Sequence, residues 1–297
     1  MKCLVCQSSR VVNIFSSVNT HGRHLVNKND RFTVFRCNKC NLVFLSDIKI
    51  NKSYYQKYYE LGYYDQNSVK ENSLLHRFLA LISRISIQRK ELLIHEYYGT
   101  KNHRLSILDV GCGSGNFLLG INSTRFNKYG TEINKEAYDI CRRKGLRVVL
   151  GSIEKIDFKR KFDVVSLWQV LEHVANPIGL FNKISKVLSS DGLLIFQVPN
   201  TDSLGFLYGK DKWFHLDSPR HLFLYNKKSV MALCQQAGFE TVAIINEYYD
   251  YPLDLFWSIR NSPLKFLIYP LYPFFKLISR ESLTFVCKKK SLRATVS

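Results

Sequence analysis

The sequence predicts an α/β fold built around a parallel sheet, with a short cysteine-containing segment in front of it. After Arg104, runs that read as strands alternate with runs at helical spacing, which is typical of a parallel sheet. Residues 107–117, ILDVGCGSGNF, place a glycine-rich turn directly after an apolar run, where a strand passes into a helix. Two C-x2-C pairs near the start of the chain predict the separate segment.

The composition limits the class of protein. With 297 residues, 46% hydrophobic and 13% aromatic, the chain is too apolar for disorder and long enough for one large domain with an appendage. The formal charge of +19 indicates attraction to nucleic acid, an anionic membrane face or a phosphorylated substrate. The first residues lack the apolar region of a secretory signal, and no apolar run reaches about 18 residues. We therefore expect a cytoplasmic protein, either free or peripheral on the inner membrane face.

The first forty residues contain two C-x2-C pairs, which thirty residues separate. Each pair can place two thiolates on one side of a tight turn, and two pairs complete the tetrahedral shell of structural zinc. Redox use is the alternative interpretation. The runs RFTVFR and LVFL supply strands, so residues 1–48 are predicted to form a small zinc ribbon. The expected ligands are Cys3, Cys6, Cys37 and Cys40.

Residues 49–100 are predicted to join the ribbon to the main domain. Residues 49–72 are rich in tyrosine and form either a linker that packs on the next domain or a cover over its active site. After Ser73, apolar residues recur at helical spacing through Phe78 and Leu79, and Gly99 is the expected end of this amphipathic helix.

Residues 101–297 are predicted to form the main domain. Strands are expected near 106–111, 128–133, 147–151, 162–168 and 192–198, with two more from FETVAIIN and SLTFVCKK. Helices are expected near 115–123, 134–144 and 178–188, and another ends at Gly238. Between the last two strands lies an apolar insert broken by prolines, residues 251–280.

The glycine-rich turn indicates a cofactor site. Dinucleotide sites read G-x-G-x-x-G, whereas the sixth position is Asn116 here. Asp109 stands at the mouth of the strand, where it would repel a pyrophosphate but accept hydrogen bonds from an ammonium group. Glu132 ends the second strand seventeen residues after Gly115, where a carboxylate can accept hydrogen bonds from ribose hydroxyls. The pattern favours a cofactor with an amino-acid tail and no phosphates.

Four stretches resemble the successive motifs of class I S-adenosylmethionine-dependent methyltransferases: ILDVGCGSGNF, YGTEIN, GSIEKIDFKRKFDVVSLWQVLEHVANP and DGLLIFQVPN. The cysteine pairs and WFHLDSPRHLFLYN resemble a subgroup with an N-terminal zinc-binding segment, whose members often lie in bacterial surface-polysaccharide gene clusters. The resemblance implies a Rossmann-like sheet of seven strands in the order 3-2-1-4-5-7-6, with the last strand antiparallel.

The resemblance also implies which residues contact S-adenosylmethionine. The glycine backbone approaches the cofactor closely, Asp109 binds its methionine end and Glu132 binds its ribose. Ser152 and Ile153 stand where the family usually has Asp and an aliphatic residue, so Ile153 is expected to pack on the adenine ring. The expected cofactor-binding residues are Asp109, Gly111, Gly113, Gly115, Glu132, Ile133, Ser152 and Ile153.

The segment WQVLEHV follows the fourth strand, which the resemblance places beside the reacting methyl group. In ubiquinone-type O-methyltransferases the second position of a similar segment is Glu and helps to bind a divalent metal, whereas it is Gln169 here. A neutral imidazole near its usual pKa can take a proton from a hydroxyl group. The candidate bases are His173, His215 and His221.

The sequence therefore predicts a methyltransferase that acts on a small molecule, a sugar or a lipid-linked glycan. Methylation of RNA or another nucleic acid is the first alternative, which the charge and the zinc ribbon favour. Against it, the fifth strand ends in QVPN and not in the N-P-P-Y type that grips an exocyclic amine. A non-catalytic binding module is the second alternative, but it requires a damaged cofactor turn and this turn is intact.

The insert is predicted either to lie on an anionic membrane face or to pack as a lid on the protein's own core. On a membrane, apolar contacts would come from Phe256, Trp257, Phe266, Leu267, Tyr269, Phe274 and Phe275. Lipid head groups would be contacted by Arg260, Lys265, Lys276 and Arg280.

Overall fold

The computed structural model describes residues 1–18, 30–46, 48, 50, 54, 74–99 and 103–290. The tyrosine-rich stretch lies outside the described residues except for Ile50 and Tyr54, so its interpretation as a linker or a cover stays a prediction. Two sheets organise the described part of the chain, one with four strands and one with seven.

The seven-stranded sheet has the order and the directions that the sequence predicts. Its strands are β4 Leu105–Val110, β5 Phe126–Glu132, β6 Arg147–Leu150, β7 Phe162–Trp168, β8 Leu188–Pro199, β10 Phe239–Glu247 and β11 Ser282–Lys289. The order β6-β5-β4-β7-β8-β11-β10 is 3-2-1-4-5-7-6 when the strands are counted from β4. The last strand, β11, is antiparallel to both of its neighbours.

Helices lie on both faces of this sheet, because side chains of the central strands alternate between two apolar cores. On β8, Phe196 belongs to one core and Ile195 to the other. Asparagine side chains cap several helices, as Asn134 does by accepting a hydrogen bond from the Ala137 N–H at 2.9 Å. The helices up to β10 are α1 Leu74–Tyr98, α2 Asn116–Gly120, α3 Lys135–Arg143, α4 Pro177–Val187, α5 Leu204–Gly209 and α6 Lys227–Gln236.

The cysteine-containing segment forms a small antiparallel sheet that the main domain completes. Its strands are β1 Val11–Val18, β2 Arg31–Cys37 and β3 Val43–Leu45, and β3 pairs with β9 Phe223–Leu224. Leu42 of this segment shares one apolar core with Val110 and Phe162 of the main domain. The division at residue 48 stays a prediction, and the structure adds that the two parts share a sheet and a core.

Helix α1 exists where the sequence predicts it, but the apolar stripe is wrong at its start. Phe78 and Leu79 are 52% and 38% exposed, whereas the buried residues of the helix are Ser86, Lys90 and Ile94. An ion pair accounts for the burial of Lys90, because its Nζ lies 2.7 Å from an Asp250 carboxylate oxygen, so a polar residue occupies part of the inward face.

The insert between β10 and β11 folds into three short helices. They are α7 Asp254–Ile259, α8 Lys265–Ile268 and α9 Tyr272–Ser279. The prediction that Lys276 faces lipid head groups is wrong, because Lys276 is buried with its Nζ 2.5 Å from Asp254 Oδ1. Phe256 and Tyr269 are only half-exposed, and their rings stack with centroids 4.3 Å apart. Among the described residues, no helix combines the length and the hydropathy needed to cross a bilayer.

Candidate cofactor and catalytic site

The glycine-rich turn joins β4 to α2 in a conformation that favours glycine. Gly111, Gly113 and Gly115 have φ angles of 66°, 54° and 82°, in the left-handed region. A Cβ atom on Gly115 would lie 2.3 Å from Leu146 Cδ1, and one on Gly111 would lie 2.8 Å from Val170 Cγ2. The turn lies at the carboxyl end of β4, the edge of an α/β sheet where ligands bind.

Two buried carboxylates end the adjacent strands β4 and β5. Asp109 is 2% exposed, and its Oδ1 accepts a hydrogen bond from Ser166 Oγ at 2.7 Å. Burial raises the pKa of Asp109 to about 7. Glu132 is 3% exposed and accepts two hydrogen bonds of 2.8 Å, from the Gly113 N–H and the Asn134 N–H. Glu132 therefore ties the glycine turn to the end of β5.

The remaining predicted cofactor contacts follow β5 and β6. Ile133 comes directly after Glu132 and is 54% exposed. Ile153 is only 2% exposed within the apolar core, so it offers little surface to the adenine ring that it was predicted to contact. Ser152 is half-buried, and its hydroxyl contacts the Glu154 carboxylate.

Two histidines and a glutamate cluster beyond the end of β7. The 3-10 turn Leu171–His173 follows β7, and the segment before β9 supplies His221. The rings of His173 and His221 meet edge to face, with centroids 4.6 Å apart. His221 Nε2 lies 4.0 Å from Glu172 Oε1 and 3.8 Å from Asp217 Oδ2.

Backbone carbonyls determine which nitrogen of each ring is basic. His173 Nδ1 lies 3.0 Å from the Arg220 carbonyl oxygen, and His221 Nδ1 lies 2.7 Å from the His215 carbonyl oxygen. A ring nitrogen that donates to a carbonyl carries the proton, so Nε2 is the basic nitrogen of each neutral ring. Burial lowers the pKa of both histidines, that of His221 to about 3, and raises the pKa of Glu172 to about 8. At neutral pH the cluster therefore holds two neutral imidazoles and a protonated carboxyl group.

The structure brings together two of the three predicted histidines. The ligand atoms of Glu172, His173 and His221 all lie within 4.8 Å of one another, an arrangement suited to a divalent metal or to proton transfer. The side chain of His215 lies apart, with its Nε2 3.1 Å from Asp254 Oδ2 inside the insert.

The structure adds how the partners of these histidines are packed, which the sequence does not reveal. Glu172 is fully buried, and neither of its carboxylate oxygens has a hydrogen-bond partner within the described ranges. Tyr225 is also fully buried, and burial together with the charge of Glu172 raises its pKa. The adjacent Glu and His of LEHV indicate a cluster of polar residues after β7. An irregular turn after a strand does not reveal which of the two side chains faces inward.

The four cysteines of the first segment lie together, as their spacing predicts. Cys3 Sγ lies 3.6 Å from Cys40 Sγ, and Cys6 Sγ lies 3.4 Å from Cys37 Sγ. A tetrahedral zinc with Zn–S bonds of about 2.3 Å holds its sulfurs roughly 3.8 Å apart. A disulfide would require about 2.05 Å. The four thiol groups therefore fit a zinc ion.

Curated relatives match the chain over about half of its length. An uncharacterised protein of Methanocaldococcus jannaschii is 30% identical over 140 residues, which are 46% of this chain and 64% of that protein. A ubiquinone biosynthesis O-methyltransferase of Rickettsia prowazekii is 28% identical over 169 residues, 54% of this chain and 64% of that protein. The chain thus spans less than two thirds of the length of these relatives.

Solved structures share the fold. A magnesium protoporphyrin IX methyltransferase from Synechocystis has a TM-score of 0.55 and 12% identity, covering 81% of this chain and 100% of that one. A 1,6-didemethyltoxoflavin N1-methyltransferase from Burkholderia thailandensis has a TM-score of 0.52 and 12% identity, and the match covers 90% of this chain and 99% of that one. Residues 75–244, more than half of the chain, match the family described as Methyltransferase domain. The chain therefore belongs to this family and is of the class I S-adenosylmethionine-dependent type.

Proposed function

We propose that this protein transfers a methyl group from S-adenosylmethionine to a small-molecule acceptor, and the resemblance of WFHLDSPRHLFLYN and the cysteine pairs to the surface-polysaccharide subgroup favours a sugar or a lipid-linked glycan. Methyl transfer is supported by one observation, the groups that lie together at the carboxyl edge of the sheet. A glycine turn with positive φ angles and two buried carboxylates lie at the ends of β4 and β5, and a His–His–Glu cluster follows β7. The bound cofactor supplies an electrophilic methyl group. The protein's residues align the acceptor and hold its proton.

The proposed cofactor contacts use the residues at the ends of β4 and β5. Asp109 accepts hydrogen bonds from the cofactor's ammonium group, because its buried carboxylate gains most from a positive partner. Glu132 accepts from the ribose hydroxyls with the lone pairs that its two backbone contacts leave. Ile133 packs on the adenine ring, because it is exposed where Ile153 is buried.

The proposed base is His173. Its ring is held by the Arg220 carbonyl through Nδ1, and this hydrogen bond leaves Nε2 as the atom that takes the acceptor's proton. His221 and Glu172 act as positioning residues. The His221 ring packs on that of His173, and Glu172 Oε1 lies 4.0 Å from His221 Nε2. The lowered pKa of His173 keeps the ring neutral at pH 7.

Replacing Glu132 by alanine is expected to weaken S-adenosylmethionine binding by about 1.5–3 kcal/mol, the range for losing hydrogen bonds to a charged group. Isothermal titration calorimetry measures this change, and Glu240→Ala on the exposed side of β10 is the matched control. An unchanged dissociation constant in Glu132→Ala would contradict the ribose assignment.

Cofactor affinity is expected to depend on pH through Asp109. Its folded pKa of about 7 means that it is protonated below pH 7, whereas the cofactor's ammonium group binds the ionised form. Affinity should therefore fall as the pH decreases, by about tenfold from the plateau to one unit below the pKa. Calorimetry between pH 5.5 and 8 should show this slope in wild type and in the exposed control Asp191→Asn, and Asp109→Asn should remove it. A slope that persists in Asp109→Asn assigns the titration to another group.

The acceptor class is tested by supplying S-adenosylmethionine with panels of nucleotide sugars, lipid-linked sugars, phenols and RNA. Formation of S-adenosylhomocysteine, with a matching mass gain of one methylene on the acceptor, identifies the class. The proposal expects turnover with a sugar-containing acceptor. Turnover with RNA alone would replace it by the nucleic-acid alternative, and cofactor binding with no turnover on any panel would favour a binding module.

A further inference from the structure

The polarity of α9 is reversed relative to that of an ordinary surface helix, although α7 and α8 bury Leu255, Ile259 and Ile268 in a small apolar core. On α9, Lys276 and Ser279 are buried, whereas Phe274, Leu277 and Ile278 are 58%, 56% and 47% exposed. The exposed residues are spaced i, i+3 and i+4, so they share one face of the helix. A helix that packs on its own protein normally places its apolar face inward.

The neighbouring elements of the insert also expose large apolar side chains. On α8, Phe266 and Leu267 are 77% and 59% exposed, and Phe266 is the most exposed large hydrophobic residue of the described chain. Leu271 is 56% exposed in the turn between α8 and α9, and Trp257 of α7 is 43% exposed. We call these seven residues the insert face: Trp257, Phe266, Leu267, Leu271, Phe274, Leu277 and Ile278.

A buried polar network holds the insert in this orientation. The Asp254 carboxylate contacts Lys276 Nζ at 2.5 Å through one oxygen and His215 Nε2 at 3.1 Å through the other. The Ser258 hydroxyl donates to the Asp254 carbonyl at 2.6 Å and accepts from the Phe214 N–H at 3.0 Å. Turning the insert over to bury its apolar face would break this network and expose its charges. The outward apolar face is therefore built into the fold.

The exposed charge within the insert is positive. Within 251–280 the only acidic residue is Asp254, which is 2% exposed. Arg260 and Arg280 are exposed, and the half-buried Lys265 places its ammonium group 5.2 Å from the Phe266 ring centroid. Arg260 lies 5.7 Å from the Trp257 ring centroid. Basic residues beside exposed aromatic ones are the composition of a surface that binds an anionic lipid interface.

We propose that the insert face docks on an anionic membrane surface, with its apolar side chains among the acyl chains and Arg260, Lys265 and Arg280 at the head groups. The positive charge of the insert favours an anionic membrane over a second copy of this chain as the binding partner. A second copy of this chain would bring the same basic residues together, whereas an anionic bilayer neutralises them. This inference goes beyond methyl transfer, and vesicle binding measures it without an acceptor.

Trp257 gives a direct readout in the wild-type protein, because Trp213 is fully buried and Trp168 is half-buried. Full-length protein is mixed at low ionic strength with phosphatidylcholine vesicles that contain or lack phosphatidylglycerol. The expected result is co-sedimentation and a blue shift of tryptophan emission with anionic vesicles only. Trp257→Phe should abolish the shift while binding persists. Absence of co-sedimentation with anionic vesicles overturns the proposal.

Two further variants test the residues of the face. Phe266→Ser/Leu267→Ser is expected to weaken vesicle binding by at least about tenfold, the scale for withdrawing large apolar side chains from a membrane. The matched control is Leu92→Ser/Met231→Ser, whose parent side chains are 65% and 45% exposed elsewhere, and it should bind as wild type does. Arg260→Glu should weaken binding to anionic vesicles by about fivefold or more. Equal loss in the control variant, or dimerisation through the insert face in analytical ultracentrifugation, would overturn the assignment.

Discussion

His173→Ala is expected to lower the rate constant of methyl transfer by about 10²–10⁴-fold, the range for losing a general base, while the cofactor's dissociation constant changes by less than about twofold. We expect this separation because the proposed cofactor contacts, Asp109 and Glu132, lie on β4 and β5 whereas His173 follows β7. Calorimetry measures the dissociation constant of the cofactor, and a single-turnover assay with the identified acceptor measures the rate constant of methyl transfer.

Controls distinguish a base from a residue that merely supports the loop. His103→Ala changes an exposed histidine outside the site and should leave both quantities unchanged. His221→Ala should also lower the rate, but its effect should appear as a shift of the pH–rate profile, because it acts through the ring of His173. An unchanged rate in His173→Ala contradicts the assignment and transfers the role to His221, the other histidine of the cluster.

Cys37→Ser is expected to cause the largest loss of stability. Structural zinc contributes apparent binding free energies of about 10–16 kcal/mol in small zinc-binding peptides, so loss of one thiolate ligand should cost several kcal/mol of folding free energy. The loss of structure should extend to the segment that carries His221, because β3 pairs with β9, which begins two residues after His221. Methyl transfer should therefore fall further than cofactor binding in the protein that remains folded.

Elemental analysis accompanies this experiment. Wild type is expected to carry about one zinc per chain, and Cys37→Ser should carry much less. Cys234→Ser changes a buried cysteine outside the cluster and should keep the metal. Purified wild-type protein without zinc would contradict zinc binding by the four cysteines, which would then require another role.

Most strands of the seven-stranded sheet could be predicted from the sequence, because local patterns determine where they lie. β4 and β6 end directly before Gly111 and Gly151, and β5 ends at Glu132. Each strand from β4 to β8 is found within a few residues of its predicted position. The order of the strands came from the family resemblance, since periodicity alone does not say which strands are neighbours. The order and the antiparallel β11 are confirmed.

Contacts between distant segments were not accessible in the same way. The two-residue strand β9 is too short to leave a pattern, and it is recognisable only because β3 lies beside it. Lys90 and Lys276 read as surface residues, but Asp250 and Asp254 pair with them inside the protein. Ile153 reads as a ring contact from its position in a motif, whereas packing against the core buries it. Each difference arises from a tertiary partner that local sequence does not reveal.

The most direct test of the account is a crystal structure of the protein with S-adenosylhomocysteine. We expect one ligand at the carboxyl edge of β4 and β5, with its ammonium group at about 2.7–3.2 Å from Asp109 and its ribose hydroxyls at similar distances from Glu132. Its sulfur should face the crevice that His173 borders. A ligand bound elsewhere, or bound here with neither carboxylate in contact, would contradict the account.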